Sequence, residues 1–330
     1  MNSLLKHVVD GGTLDAEDSA RAFDAIMTGQ VAEDDLAQFL LVQAQRGPTV
    51  DEIVGAARTM RAHMKSIQAP PGAIDLCGTG GDGHGTLNIS TAVSFVVAGC
   101  GVAVAKHGNR SATSRSGAAD VLEALGVRID HAPHEAQAHL AATGLCFLFA
   151  PNYHPAMKHV AAARKRLGRR TIFNLLGPIS NPAGVRRQLI GVFAREWIAP
   201  LAQVLALLGT ETAWIVHGSD GLDELSTTGP TDVAVLTGGA VSACSVAPED
   251  AGVARASIAD LKGGDAAHNA AAILRLLDGE AGPFRDIVLL NAAAALCVAS
   301  KAARIGDGVA LAAASIDGGQ ARAVLAKLRI

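Results

Sequence analysis

Over residues 1–67 the apolar positions fall three and four apart: Ala20, Phe23 and Met27, then Leu36, Phe39 and Leu40 with Gln43 on the same face. That period predicts helices, each burying one stripe. Gly47-Pro48 interrupts the pattern, and Thr49-Val50-Asp51-Glu52 restarts it as a capping box with Glu52 at the third helical position. Ile53, Ala57, Met60 and Met64 continue the stripe and read as core. Gln68-Ala69-Pro70-Pro71-Gly72 reads as a hinge. Beyond it the period changes. Short apolar runs at 73–77, 101–105, 145–149, 188–193, 213–217, 232–237 and 241–245 predict strands, with alanine-rich helical stretches between most of them. The expected fold class is α/β: a small all-helical N-terminal domain over 1–69 and a large α/β domain over 70–330 with a mostly parallel central sheet. Residues 151–182 are helical and break the alternation, so helices from about 155–180 are expected to pack back on the N-terminal domain.

Composition narrows the function classes. Lys plus Arg is 28 and Asp plus Glu is 31, a formal charge of −3, and aromatic residues are 3%. Both argue against a general nucleic-acid binder. The cysteines (Cys77, Cys100, Cys146, Cys244, Cys297) are scattered, mostly in apolar runs, and form no Cys-x-x-Cys pair. They read as buried thiols of a reducing compartment. The N-terminus lacks a signal-peptide core, and the most apolar stretch, 287–299, is too short for a bilayer and carries Asn291. A soluble cytoplasmic protein is expected.

Candidate chemistry lies at predicted strand ends, where open α/β sheets bind ligands. After the first strand comes Gly78-Thr79-Gly80-Gly81-Asp82-Gly83-His84-Gly85, and then a helix opening with Asn88-Ile89-Ser90-Thr91. Glycines let bare backbone N–H groups approach a phosphate, and Ser90 and Thr91 are expected to cap the helix. The Gly-Lys-Ser/Thr ending of a P-loop is missing, as is the acidic residue that a dinucleotide site wants about twenty positions on. A glycine-rich turn without a ligand is the alternative. After the second strand, Lys106-His107-Gly108-Asn109-Arg110 reads as a basic loop for an anion, or as a solvated one. After the strand at 213–217, adjacent Asp223 and Glu224 suit one or two Mg²⁺ ions bridging to phosphate, or an acidic helix cap. The basic run 164–170 is a solvated face from which at least one arginine can turn inward to grip a carboxylate. His154 and His159 read as supporting or surface residues. No Ser-His-Asp nucleophile set is recognisable, so positioning and charge stabilisation would carry catalysis.

Gly78-Thr79-Gly80-Gly81-Asp82, Asn88-Ile89-Ser90-Thr91, Lys106-His107-Gly108-Asn109-Arg110, residues 169–182 and Asp220-Gly221-Leu222-Asp223-Glu224 together resemble the signature blocks of the anthranilate phosphoribosyltransferases, in order along essentially the whole chain. The resemblance implies a homodimer joined through the helical domain, and an enzyme of tryptophan synthesis. Anthranilate would displace pyrophosphate from 5-phosphoribosyl 1-diphosphate (PRPP), with Mg²⁺ as cofactor. Carried over by position, it assigns Gly78, Gly81, Asp82, Thr86, Asn88, Ile89, Ser90, Thr91 and Lys106 to PRPP. The following loop, His107, Gly108, Asn109, Arg110, Ser111, Ala112, Thr113 and Ser114, with Ala118, completes that site. Gly78, Asn109 and Arg164 match anthranilate positions, with His107 and Pro178 as walls, and Ser90, Asp223 and Glu224 match Mg²⁺ positions. Ala118 departs from the serine of many relatives, leaving only its backbone N–H to donate. A pyrimidine nucleoside phosphorylase and a non-enzymatic nucleic-acid-binding relative are the rival readings.

Overall fold

The computed structural model describes residues 2–111 and 115–329. It opens with four helices, α1 (Ser3–Val9), α2 (Ala16–Met27), α3 (Glu33–Arg46) and α4 (Val50–Ala62). Local chemistry starts three of them. Asn2 and Asp15 cap α1 and α2 by accepting the Leu4 and Asp18 amides at 2.9 and 2.8 Å. The capping box of α4 forms: Thr49 Oγ1 accepts the Glu52 amide at 3.2 Å, and Glu52 Oε2 accepts the Thr49 amide at 2.9 Å. Glu52 is buried, and Arg46 neutralises it at 2.6 Å. Removing one partner would strand a buried charge, at a cost of about 3–5 kcal/mol. Met64 lies past the end of α4, so the apolar stripe closes at Met60.

The strands β1 (Ile74–Gly78), β2 (Val104–Gly108), β3 (Leu145–Phe149), β4 (Arg187–Gly191), β5 (Thr212–Gly218), β6 (Thr231–Thr237) and β7 (Ala240–Val246) form one sheet ordered β3-β2-β1-β4-β5-β6-β7. Pairing is parallel from β3 to β5 and antiparallel from β5 to β7. The mostly parallel sheet expected from the alternation is therefore present, with a hairpin at one edge. Between strands run α5 (Ile89–Gly99), α6 (Ala118–Ala124), α7 (Pro133–Thr143), α8 (Ala150–Tyr153), α9 (Lys158–Leu167), α10 (Phe173–Leu176) and α11 (Ile198–Leu207). The chain ends in α12 (Ala266–Leu277), α13 (Pro283–Val298), α14 (Ile305–Asp317) and α15 (Gln320–Leu328). No helix among the described residues is long and apolar enough to cross a membrane.

Two large cores flank the sheet. One packs Phe95 and Val96 of α5 with Leu290 of α13 and Leu325 of α15. The other joins Phe23 and Phe39 to Phe173 and Leu176 of the crossover, to Leu201 of α11 and to Ile190 and Ile215 of the sheet. Phe23 is central here, with its ring 6.0 Å from Phe39 and 5.8 Å from Phe173. The crossover that follows β3 is thus held against the N-terminal helices by shared apolar burial.

Two differences from the sequence expectation bear on the site. β2 begins three residues late, because the Gly101 and Val102 amides still close the end of α5 on the Ala98 and Val97 carbonyls, with Gly101 at φ +81°. Lys106 and His107 are consequently buried strand residues and not members of an exposed loop. Helix α5 starts at Ile89, which puts Ser90 and Thr91 inside its first turn, and neither caps it. Asn88 stands at the cap position, but its side chain bonds Ser116 and Asn269 instead.

Candidate active site

The C-terminal ends of β1, β4 and β5 meet at glycines, and each absent side chain is filled by the loop after β5. A Cβ on Gly191 would lie 1.5 Å from the Asp223 carbonyl oxygen, and one on Gly78 would lie 2.5 Å from Asp223 Oδ2. Asp223 therefore sits directly over the paired ends of β1 and β4, and its Oδ2 accepts the Gly80 amide at 2.8 Å. The loop that carries it is fixed from both sides. Asp220 accepts the Ser226 and Thr228 hydroxyls, each at 2.6 Å. Burial pushes the Asp220 carboxyl up, but those hydroxyls and the Leu222 amide outweigh it and hold it below the usual range. Asn291, on the buried helix α13, exchanges two hydrogen bonds with the Leu225 backbone at 2.9 and 2.8 Å. No helix starts at Asp223-Glu224, so the acidic-cap alternative is not what forms.

Three acids and one base gather here. Burial, then the neighbouring Asp82 charge, pushes Asp223 up to about 6. Burial, then Asp223, pushes Glu224 up to about 8, against the pull of Lys106 and the Ser90 N–H. Lys106 reaches the cluster from β2; burial lowers it, while Asp75, Cys77, Glu224 and Asp223 pull it back up. Its Nζ donates to the Leu76 carbonyl at 2.6 Å and to Ser90 Oγ at 3.2 Å. Asp82, Ser90, Lys106, Asp223 and Glu224 thus form one electrostatic cluster short of positive charge.

The glycine loop borders this cluster. Asp82 Oδ1 accepts the His84 amide at 3.0 Å. The far end, through Thr86, is strapped to residues 261–263 by the Leu87 amide on Leu261 and the Gly263 amide on Gly85, both at 2.9 Å. The Gly80 N–H is already occupied by Asp223, but those of Gly81, Asp82, Gly83 and Gly85 donate to no acceptor among the described residues.

The second predicted group is only partly brought in. His107 is buried with its ring 5.0 Å from that of His154. Burial, then His154, lowers His107 to about 3, and burial lowers His154 to about 4, so both rings are neutral. The Pro178 carbonyl is fixed beside them by Gln188 Nε2 at 2.9 Å. The Arg164 guanidinium is lowered by burial, stacks 5.6 Å from the Phe173 ring centroid, and has no hydrogen-bond or ion-pair partner among the described residues. Arg110, by contrast, is turned away onto Asp120 and Glu123 at 2.8 and 2.5 Å. Thr91 is buried under the site and lines an internal cavity with Ser94 and Phe95. Ile89 is core, Gly108 lies against Phe147, and Asn109 Oδ1 is taken by the Arg110 amide at 2.8 Å. The Ser111 amide reaches Asp120 at 3.4 Å, and Ala118 opens α6 with its methyl against the core. Ala112, Thr113 and Ser114 lie outside the described residues.

Sequence reasoning gave no individual role to Asp75, Asp220, Asn291 or Arg170, although the last three stand in stretches it singled out. Asp75 is buried beneath Lys106 and accepts the His107 amide at 3.0 Å. Its signal was a carboxylate inside an apolar strand, as Asn291 was an amide inside an apolar helix; buried polar groups need partners.

A strand-end glycine loop, a half-buried acid pair and an unpaired guanidinium equip this α/β fold, with its attached helical bundle, as an enzyme acting on anionic substrates. Two family models agree: the glycosyl transferase family a/b domain matches residues 70–322, and its helical bundle domain matches residues 2–64. The chain is 56% identical to the anthranilate phosphoribosyltransferase of Rhodopseudomonas palustris (strain HaA2), covering 99% of this chain and 96% of that one. It is 54% identical to that of Azorhizobium caulinodans, covering 98% and 94%. Among solved structures, the Thermus thermophilus enzyme of the same name matches with a TM-score of 0.94, at 41% identity and full coverage of both chains. The Saccharomyces cerevisiae enzyme in complex with PRPP and Mg matches with a TM-score of 0.90, at 27% identity over 99% and 96% of the chains. The chain belongs to the anthranilate phosphoribosyltransferase family. These relatives support neither the phosphorylase nor the nucleic-acid reading.

Proposed function

We propose that PRPP binds across the glycine loop and the Asp82–Lys106–Asp223–Glu224 cluster, and that anthranilate enters between the crossover and the end of β2. The observation that carries the reading is the Asp223–Gly80 hydrogen bond, which joins the loop after β1 to the loop after β5 beside four unused backbone amides. In the reaction the anthranilate amine forms a bond to ribose C1, the C1–oxygen bond breaks, pyrophosphate leaves with that electron pair, and the amine gives up one proton. The amine of an aniline is neutral near pH 7, so no strong base is needed. The difficult event is departure of the diphosphate, which the loop amides and Lys106 stabilise as charge develops. Arg164 is suited to the anthranilate carboxylate because its desolvated guanidinium has no other anion to pair with among the described residues. Neutral His107 and His154, with Pro178, suit the uncharged ring.

The acid pair fits Mg²⁺. Two half-buried carboxyls lie close enough to repel each other, and burial with that repulsion pushes Asp223 up to about 6 and Glu224 up to about 8, a strain that a divalent cation would relieve. Among the described residues no three His, Cys, Asp or Glu side chains are arranged to hold a metal alone. That matches an ion held by one or two carboxylates, with Ser90 nearby, and completed by substrate oxygens and water. When bound, it would neutralise the diphosphate as it departs. We assign residues 1–69, joined by the crossover helices, to the bundle through which a homodimer forms, and residues 70–330 to the catalytic domain. Loss of anthranilate fluorescence on adding PRPP and Mg²⁺ tests the reaction; a protein that instead phosphorolyses thymidine refutes it.

A further inference from the structure

We infer that Arg170 is a positioning residue that aims the glycine loop, an inference resting on the assignment of that loop to PRPP. Arg170 leaves the crossover just after α9 and donates through Nη2 to the Gly81 carbonyl. Its guanidinium lies over the Phe193 ring, 4.2 Å from the centroid, a face on which a planar cation stacks well. Phe193 is itself tied back to the start of the loop, its amide donating to Thr79 Oγ1 at 2.9 Å, while the Thr79 amide bonds the Gly191 carbonyl at 2.9 Å. The brace therefore runs from the end of β4, through an aromatic ring and a guanidinium, to the middle of the loop.

The consequence follows from peptide geometry. The Gly81–Asp82 bond is trans, so its C=O and N–H point in opposite directions. A guanidinium that holds the Gly81 carbonyl outward turns the Asp82 N–H inward. That amide is one of those with no acceptor among the described residues. Gly81 sits at φ +78° among neighbours at +66° and +82°, a run with many alternative conformations when nothing restrains it. Arg170 is exposed, so losing its side chain removes little packing. Its effect belongs on the loop and not on the fold.

The test is steady-state kinetics of Arg170→Met, Arg170→Lys and Phe193→Leu beside the parent enzyme. Arg170→Met should raise the PRPP KM about tenfold, as expected for one lost charged hydrogen bond, with the anthranilate KM and melting temperature unchanged. Arg170→Lys should recover part of that loss, and Phe193→Leu should move the PRPP KM the same way by less. An unmoved PRPP KM in Arg170→Met, or both KM values rising together, overturns the inference. Asp82→Asn, run in parallel, separates the two levels. If it too leaves the PRPP KM unmoved, the loop assignment falls and the inference with it; if it raises the PRPP KM while Arg170→Met does not, the inference alone falls.

Discussion

Asp223 reaches back over the sheet to take the Gly80 amide at 2.8 Å, so the loop after β5 and the loop after β1 form one surface. The contact depends on bare backbone at Gly191, where a Cβ would meet the Asp223 carbonyl oxygen at 1.5 Å. No rotamer change relieves a clash between a Cβ and a main-chain oxygen. Gly191→Ala must therefore displace the Asp223 loop, and a shift of about 1 Å at a reacting centre costs on the order of a hundredfold in rate. The expected result is a loss of that size in kcat/KM. An alanine variant with parental kcat/KM would show that the loop does not serve catalysis.

The acid pair predicts a pH dependence that metal should reduce. Glu224 is raised from 4.5 to about 8, so between those values the metal-free native state holds a proton that the unfolded chain has lost. Stability must then fall as pH rises across that window, by at most about 1.4 kcal/mol per pH unit, and level off above it. Glu224→Gln removes the effect, so its urea midpoint should gain on the parent steadily from pH 5 to pH 8 in EDTA. Excess Mg²⁺ should narrow that gap by stabilising the parent most at the upper end. Parallel midpoints at every pH would contradict the electrostatic account of the pair.

Arg164 offers the cleanest separation of the two substrates. Its guanidinium is desolvated against Phe173 and pairs with no acid among the described residues. Arg164→Ala should raise the anthranilate KM by roughly 10- to 100-fold, the value of a charged hydrogen bond, and leave the PRPP KM close to parental. Equal rises in both would place Arg164 in the framework and not on the acceptor.

Much of this was legible because the chemistry is local in the chain. The glycine run, the adjacent acids and the Thr49 capping box are each complete within a few residues, and each forms where its spacing puts it. Lys106 and His107 were harder. Their polarity reads as loop, yet parallel pairing to β3 carries the strand through both, and each is buried on a partner from elsewhere: Lys106 on Leu76 and Ser90, and His107 beside His154. Arg110 was hard to read in the opposite sense. Nothing in its own motif signals that Asp120 and Glu123, a helix away, hold its guanidinium. Local signals thus identify the groups, and long-range contacts decide which of them face the site.

The two neutral histidines give the remaining prediction, with a sign opposite to that of the acid pair. His107 and His154 fall from 6.5 to about 3 and about 4, because burial disfavours the imidazolium and, at His107, a charged His154 would add repulsion. Below pH 6.5 the unfolded chain takes up protons that the native state refuses. Stability therefore drops as pH falls from 6.5 and levels off only near the depressed values, each ring contributing at most about 1.4 kcal/mol per pH unit. His154→Gln retains a polar side chain but cannot titrate. Its urea midpoint should decline less steeply than the parent's between pH 6.5 and pH 4.5. The same variant leaves His107 without its repelling neighbour but still buried, so part of the parent's slope should persist. Identical slopes in parent and variant would mean that native His154 takes up its proton just as the unfolded chain does, and that the wall beside Pro178 becomes charged below pH 6.5.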